Sequence, residues 1–308
     1  MRWRFVLGLA IVTVLLVGPA FPADDRYGDA LPDGATQRLG TRRLRCGISD
    51  LCYLPDGRGA LAIGGRVEIW NLAQGELEAT HNVCKTGISS IQARRDGKAL
   101  LVGDRSGKVH EWDLQERRAL HTWPTQQQGL VRAVYSPDEK RVLTTGSSPP
   151  TLKEWEPATG KELVSITGTM HRFCEGIYGP NGTSAIADGS NGSGLLLAQY
   201  HLADGPLQKE WLKDYYTHSR SMELSADGTR LLVGSRHKAT EWLLDGWKLL
   251  KKYTGHHGHA VTSVAYCKDP NQILTGSRDG SIRRWSRTEG KVLLRWCPHS
   301  HHVRRIAV

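Results

Sequence analysis

Apolar and polar residues alternate in short runs along most of this chain, and turn residues interrupt the runs every few positions. The pattern is clearest from Thr254 to Trp285, TGHHGHAVTSVAYCKDPNQILTGSRDGSIRRW. There Val261–Tyr266 alternates, Lys268-Asp269-Pro270 turns the chain, and Ile273-Leu274-Thr275 runs back. Ser277-Arg278-Asp279-Gly280 then turns it again, before a third run that ends at Trp285. A period of two between turn signals predicts short antiparallel strands.

The same pattern recurs upstream. The residue ending the first strand falls at Tyr53, Ala93, Tyr135, Tyr178, Leu224, Tyr266 and Val308, with spacings of 40, 42, 43, 46, 42 and 42. A turn follows three residues later at Asp56, Asp96, Asp138, Asn181, Asp227 and Asp269, and the third strand carries Trp70, Trp112, Trp155, Tyr200, Trp242 and Trp285. Two markers holding one period define repeats at 45–80, 81–123, 124–166, 167–212, 213–253 and 254–296, with a partial unit at 297–308. Hairpins such as Ala73-Gln74-Gly75, Ala158-Thr159-Gly160 and Thr288-Glu289-Gly290 predict a fourth strand in each repeat. One four-stranded sheet cannot bury both of its faces, so neighbouring repeats must stack. The stacking positions fit: Ile48, Ile88, Leu130, Phe173, Val261 and Val303 are apolar, and Ser219 is the exception.

The spacing of Gly255-His256, Asp279-Gly280 and Trp285 resembles the WD-repeat family of β-propellers. The resemblance implies an all-β fold over 37–308, a ring of six complete four-stranded blades plus a partial seventh. It also implies a buried hydrogen-bonded set of His256, Thr275 (or Ser277), Asp279 and Trp285. A buried indole N–H or imidazole left without a partner costs about 1–3 kcal/mol. In the other repeats the Asp position holds Ser106, Pro149 or His237, and the fourth repeat has an expanded Asp188–Gly194 stretch. The phrase LPDGATQRLGTRRLR, residues 31–45, resembles the approach to WD-repeat domains in many bacterial multi-repeat proteins. In that family the N-terminal strand serves as the outer strand of the last blade, a role for which Gln37–Arg45 is placed. His302–Val308 aligns with the first strand of a seventh repeat, and about 20 residues for its two middle strands are missing. The chain is therefore expected to be a truncated product of a longer seven-bladed protein or to rely on a second chain. Self-association through the incomplete seventh blade is expected.

Composition changes this picture mainly at the N-terminus. Arg2 and Arg4 precede thirteen mostly apolar residues, Phe5 to Val17, followed by Gly18, Ala20 and Ala23. That pattern reads as a signal peptide over 1–23, cleaved after Ala20 or Ala23, with 24–36 as an extended lead-in. The apolar run is shorter than the roughly 20 residues of a membrane span. The expected location is exported, periplasmic or extracellular. The chain has 308 residues and a formal charge of +10, so loss of Arg2 and Arg4 leaves about +8. Basic pairs are spread along the chain rather than gathered in one block, as on solvated strand faces, or as an anion-binding surface.

Catalytic motifs with the right spacing are absent from the sequence, so no catalytic residue and no cofactor are assigned. Two histidine clusters stand before adjacent first strands, and His257, His259, His299 and His301 are weak metal candidates. Exposed loop histidines beside a structural His256 are the simpler reading. Cys46, Cys52, Cys84, Cys174, Cys267 and Cys297 permit disulfides in an exported chain, with Cys46 and Cys84 as plausible neighbours. Cys52 sits mid-strand and reads as a small buried hydrophobe.

The leading expectation is a non-enzymatic exported scaffold that binds a protein partner through its loops and channel rim. In one inner-strand register Asp50, Ser90, Arg132, Glu175, Ser221, Ser263 and Arg305 are all polar. Asp50, Arg132, Glu175 and Arg305 are the partner-binding candidates. The alternatives are an enzyme or ligand-binding module using the central channel, and docking onto an anionic envelope polymer. Nucleic acid is disfavoured by the export signal.

Overall fold

The computed structural model describes residues 47–308 except 130–131, 168–171, 191–194, 204–206, 215–220, 257 and 298–301; before residue 47 it describes three short strands. Each expected repeat forms one antiparallel sheet whose four strands lie side by side in chain order. The first blade is Ile48–Tyr53, Gly59–Ile63, Arg66–Asn71 and Glu76–Asn82, and the second is Ile88–Ala93, Ala99–Asp104, Lys108–Asp113 and Arg118–Pro124. The third is Arg132–Tyr135, Val142–Ser147, Pro150–Glu156 and Lys161–Thr167. Arg172–Tyr178, Ser184–Ser190, Leu195–His201 and Leu207–Asp214 make the fourth. Ser221–Leu224, Arg230–Gly234, Lys238–Leu243 and Lys248–Thr254 make the fifth, and Val261–Tyr266, Gln272–Ser277, Ile282–Ser286 and Val292–Trp296 the sixth. The protein is a six-bladed β-propeller of four-stranded sheets.

In every blade the pairing of third and fourth strands slips by one residue, at Ile69/Trp70, Glu111/Trp112, Glu154/Trp155, Gln199/Tyr200, Glu241/Trp242 and Arg284/Trp285. Such bulges sharpen strand twist, and this one falls beside the aromatic that fills the space between blades. Core clusters accordingly run across blade boundaries. Leu232, Ala239 and Tyr253 of the fifth blade pack with Val261, Ile273 and Trp285 of the sixth. Leu101, Val109 and Trp123 of the second pack with Tyr135, Val142 and Trp155 of the third.

Ile306–Ala307 lies between the inner strands of the sixth and first blades. Val303 N donates to Ser277 O at 3.0 Å, Ile306 N to Ser263 Oγ at 2.9 Å, and Arg305 reaches Asp50 at 3.2 Å. Gly276 permits this approach, because a Cβ there would stand 2.5 Å from Val303 Cγ1 and 2.9 Å from Ile306 Cδ1. The seventh position differs from the expectation. Ile306–Ala307 pairs antiparallel with Leu7–Gly8, and Gln37–Leu39 pairs separately with Val12–Val14, so Gln37–Leu39 is not the outer strand of a last blade that contains Ile306–Ala307. The rest of the expected signal peptide, the lead-in and residues 40–45 lie outside the described residues. Among the described residues no helix is long and apolar enough to cross a membrane.

Candidate functional site: the loop-bearing end and its polar ring

The inner strand of each blade has a channel-side edge whose N–H groups find no strand beside them. A buried N–H needs an acceptor, and the polar register supplies it from the preceding blade. Asp50 Oδ2 accepts from Ile91 N at 3.0 Å, Ser90 Oγ from Ala133 N at 3.1 Å, and Glu175 Oε2 from Met222 N at 2.9 Å. Ser221 Oγ accepts from Val264 N at 3.2 Å, and Ser263 Oγ accepts from Ile306 N. The two arginines of the register close the gaps by charge. Arg132 pairs with Glu175 at 3.3 Å, and Arg305 reaches both Asp50 and Glu175, at 3.2 and 3.4 Å. The seven residues form one closed circle.

This circle places the four partner-binding candidates together, but unevenly exposed. Asp50 and Glu175 are 2% and 4% exposed and committed to backbone and arginine. Arg132 and Arg305 each keep part of their side chain at the surface. Burial pulls the Arg305 guanidinium down, but Asp50, Glu175 and Glu223 outweigh it and hold it above the ordinary arginine value. Glu223 sits one register step away and accepts from Tyr266 N at 3.4 Å. Burial pushes its carboxyl up to about 7, against that hydrogen bond and the charge of Arg305. The ring offers no free nucleophile or free carboxylate pair among the described residues; its available groups are donors.

Loops at the same end are hydrogen-bonded to one another, across three blade boundaries and within the second and sixth repeats. Ile88 N donates to Gly64 O at 2.6 Å, Arg105 N to Gly87 O at 2.8 Å and Thr125 N to Gly107 O at 2.8 Å. Val261 N donates to Ser235 O at 2.8 Å and Arg278 N to Ala260 O at 2.9 Å. These loops expose Lys85, Arg105, Arg236 and His237. Among the described residues, these loops are hydrogen-bonded to one another and expose cations.

The hydrogen-bonded set of the sixth repeat supports this end from below. His256 bonds Thr275 Oγ1 through Nε2 at 2.7 Å and Asp279 Oδ2 through Nδ1 at 3.1 Å, while Trp285 Nε1 donates to Thr275 Oγ1 at 2.8 Å. Thr275, not Ser277, is the hydroxyl used. Ser281 joins by donating to Asp279 Oδ1 at 2.6 Å. Despite the cost of partial burial, bonds from Ser281 and His256 hold the Asp279 carboxyl down to about 2; burial lowers His256.

The second blade builds a different version that the sequence pattern did not reveal. Its acid is Asp104, two residues before Ser106; it accepts from Ser106 Oγ at 2.7 Å and bonds His110 Nε2 at 3.2 Å. Trp112 Nε1 takes its acceptor from the first blade, His81 Nδ1 at 3.2 Å. A second missed device joins blades through the glutamate preceding the tryptophan. Tyr135 donates to Glu111, Tyr178 to Glu154 and Tyr266 to Glu241, at 2.9, 2.9 and 3.4 Å. Arg94, Arg141 and Arg230 face the same carboxylates at 3.1, 3.0 and 3.9 Å. The recurrent Glu-Trp pair was its signal in the sequence.

Of the metal candidates, His259 is exposed and its N–H donates to His256 O at 2.8 Å; His257, His299 and His301 lie outside the described residues. Cys84, expected as a neighbour for Cys46, is a free thiol that donates to Thr86 O at 3.0 Å. Cys46 lies outside the described residues, as does the Cys174 side chain. Burial, with Asp50 adding to it, pushes the Cys52 thiol up to about 12.

Residues 247–286 match the family model described as WD domain, G-beta repeat. That span holds the one repeat in which His, Thr, Asp and Trp are all present. Among curated proteins the chain is similar to U3 small nucleolar RNA-associated protein 15 of Schizosaccharomyces pombe, 22% identical over 76% of this chain and 47% of that protein. It is similar to Autophagy-related protein 16 of Arabidopsis thaliana, 21% identical over 85% of this chain and 52% of that protein. Serine-threonine kinase receptor-associated protein of Gallus gallus is 24% identical over 74% of this chain and 63% of that protein. The chain thus spans between about half and under two thirds of the length of these relatives.

Proposed function

We propose that this protein is a non-enzymatic interaction scaffold whose protein partner docks on the loop-bearing end of the ring. One observation carries the reading: loops of the first to third and of the fifth and sixth blades are hydrogen-bonded to their neighbours and present Lys85, Arg105 and Arg236 at the end that holds Arg132 and Arg305. Pre-ordered loops lose little entropy on binding, and a cationic end favours an acidic partner surface. The channel reading as an enzyme is weaker, because Asp50 and Glu175 are spent on holding blades together. The test is capture of a partner by the immobilised protein. Arg105→Glu with Arg236→Glu is expected to reduce capture at least tenfold, whereas Lys140→Glu, near the opposite strand ends, leaves it unchanged. Equal capture by both variants would sink the reading.

Docking onto an anionic envelope polymer is the second reading, favoured by the same cations. It predicts binding that falls steeply with salt and does not saturate at one partner per chain. Export belongs to the proposal and rests on Arg2, Arg4 and the short apolar run. The intact mass of the protein from an exporting cell is expected to lack residues up to Ala20 or Ala23; a mass retaining residue 1 overturns it.

A further inference from the structure

The sixth blade turns an unfinished face toward the seventh position. In the first, second, third and fifth blades, one fourth-strand residue near the end of the strand is buried by the next blade. These are His81, Trp123, Ile166 and Tyr253, 2%, 3%, 5% and 0% exposed. They are equivalent by register, each opposite an apolar third-strand residue: Val67, Val109, Leu152 and Ala239. Trp296 occupies the same place opposite Ile282, yet it is 37% exposed, even with Leu7–Gly8 paired to Ile306–Ala307. Val292 and Leu293 on the same strand are exposed too, but so are Leu77 and Leu163 at the equivalent outer-strand positions, so Trp296 is what sets this face apart.

The chemistry of this face also departs from the other blades. Where Glu111, Glu154 and Glu241 accept from a tyrosine of the next blade, the sixth blade carries Arg284. Its guanidinium lies 6.0 Å from the Trp296 ring centre, and its buried Nε has no hydrogen-bond partner among the described residues. Val308 stands where those tyrosines stand. An established type of interface therefore continues here with its charge reversed.

We infer that the Trp296–Arg284 face, together with the Ile306–Ala307 edge, docks a β-hairpin of a partner protein that presents an apolar face and an acidic residue. The inference rests on the scaffold reading and names a second surface and its partner chemistry. The hairpin supplies strands beside Ile306–Ala307, its apolar face covers Trp296, and its carboxylate satisfies the Arg284 guanidinium. Removal of the expected signal peptide would take away Leu7–Gly8 and leave that edge open.

The test uses the exported protein, freed of its expected signal peptide, and a synthetic β-hairpin of alternating Val and Glu joined by Asn-Gly, with a Val/Lys hairpin as its counterpart. The acidic hairpin is expected to bind and quench tryptophan emission, and the basic one is not. Trp296→Ser should weaken binding at least tenfold while Trp296→Phe retains it, and Arg284→Glu should transfer the preference to the basic hairpin. No binding, equal binding of both hairpins, or indifference to Trp296→Ser overturns the inference. So does a dimer dispersed by Trp296→Ser, which gives the face to a second copy, or a crosslink from position 296 to residues 24–39. The Arg105→Glu, Arg236→Glu variant is expected to bind the hairpin normally, so failure at this face and failure at the loop-bearing end are read separately.

Discussion

Trp285 shows how much one side chain carries in a propeller. It is 1% exposed, donates to Thr275, and meets Tyr253 and His256 edge-on at ring-centre distances of 5.7 and 6.4 Å. Trp70 lacks those ring contacts and donates to Glu68, which Arg66 also serves. Loss of a buried aromatic costs about 3–5 kcal/mol, and Trp285→Ala is expected at the upper end, with Trp70→Ala below it. Equal shifts of the denaturant midpoint would contradict this. Glu223 carries a pH signature of opposite sign to the usual carboxylate. Its folded pKa is raised to about 7 from 4.5, so the folded state holds the proton more tightly and its contribution is fully present below about 4.5. That contribution is lost as pH rises toward 7. Glu223→Gln should flatten this loss; melting temperatures of both proteins across pH 4.5 to 7 measure it.

Between elements, blades are joined by apolar stacking and by the Glu–Tyr–Arg clusters. Tyr178→Phe removes the hydroxyl from Glu154 but leaves Arg141 in place. The expected cost is about 1–2 kcal/mol, because one buried acceptor bond is lost without stranding the charge. Combining it with Glu154→Gln should give a non-additive result of at least about 0.5 kcal/mol, since the two groups touch. Additive costs would mean that the contact contributes nothing of its own. These clusters join blades in repeats that lack the sixth repeat's full polar set, while the indoles there find other acceptors: Trp112 in His81, Trp155 in Thr144 and Trp242 in Thr240.

For the molecule as a whole, Arg305 is the residue that joins the end of the chain to its first blade. Arg305→Ala leaves Asp50 and Glu175 with less positive charge beside them, at an expected cost of about 1–3 kcal/mol given the partial exposure of the guanidinium. Arg305→Lys should recover part of it, because one ammonium cannot match the planar reach to two carboxylates. Denaturant midpoints of the three proteins decide; an unchanged Arg305→Ala midpoint would show that the circle closes without this pair.

The sequence by itself determined the repeat period, the strand order within each repeat and the aromatic that fills each blade boundary. Those features are local: alternation, turn residues and a 42-residue recurrence are written into neighbouring positions. It also named the seven polar register positions, but their use was decided only by tertiary structure. Asp50 and Ser90 look like rim residues until the ring brings the N–H groups of Ile91 and Ala133 against them. Asp104 substitutes for a missing turn acid, and His81 serves the next blade's Trp112, because burial demands a partner from whichever residue the fold brings within reach. Nor could spacing alone show that Trp296 stays uncovered: that depends on what stands across the blade boundary, which alternation within one strand does not record.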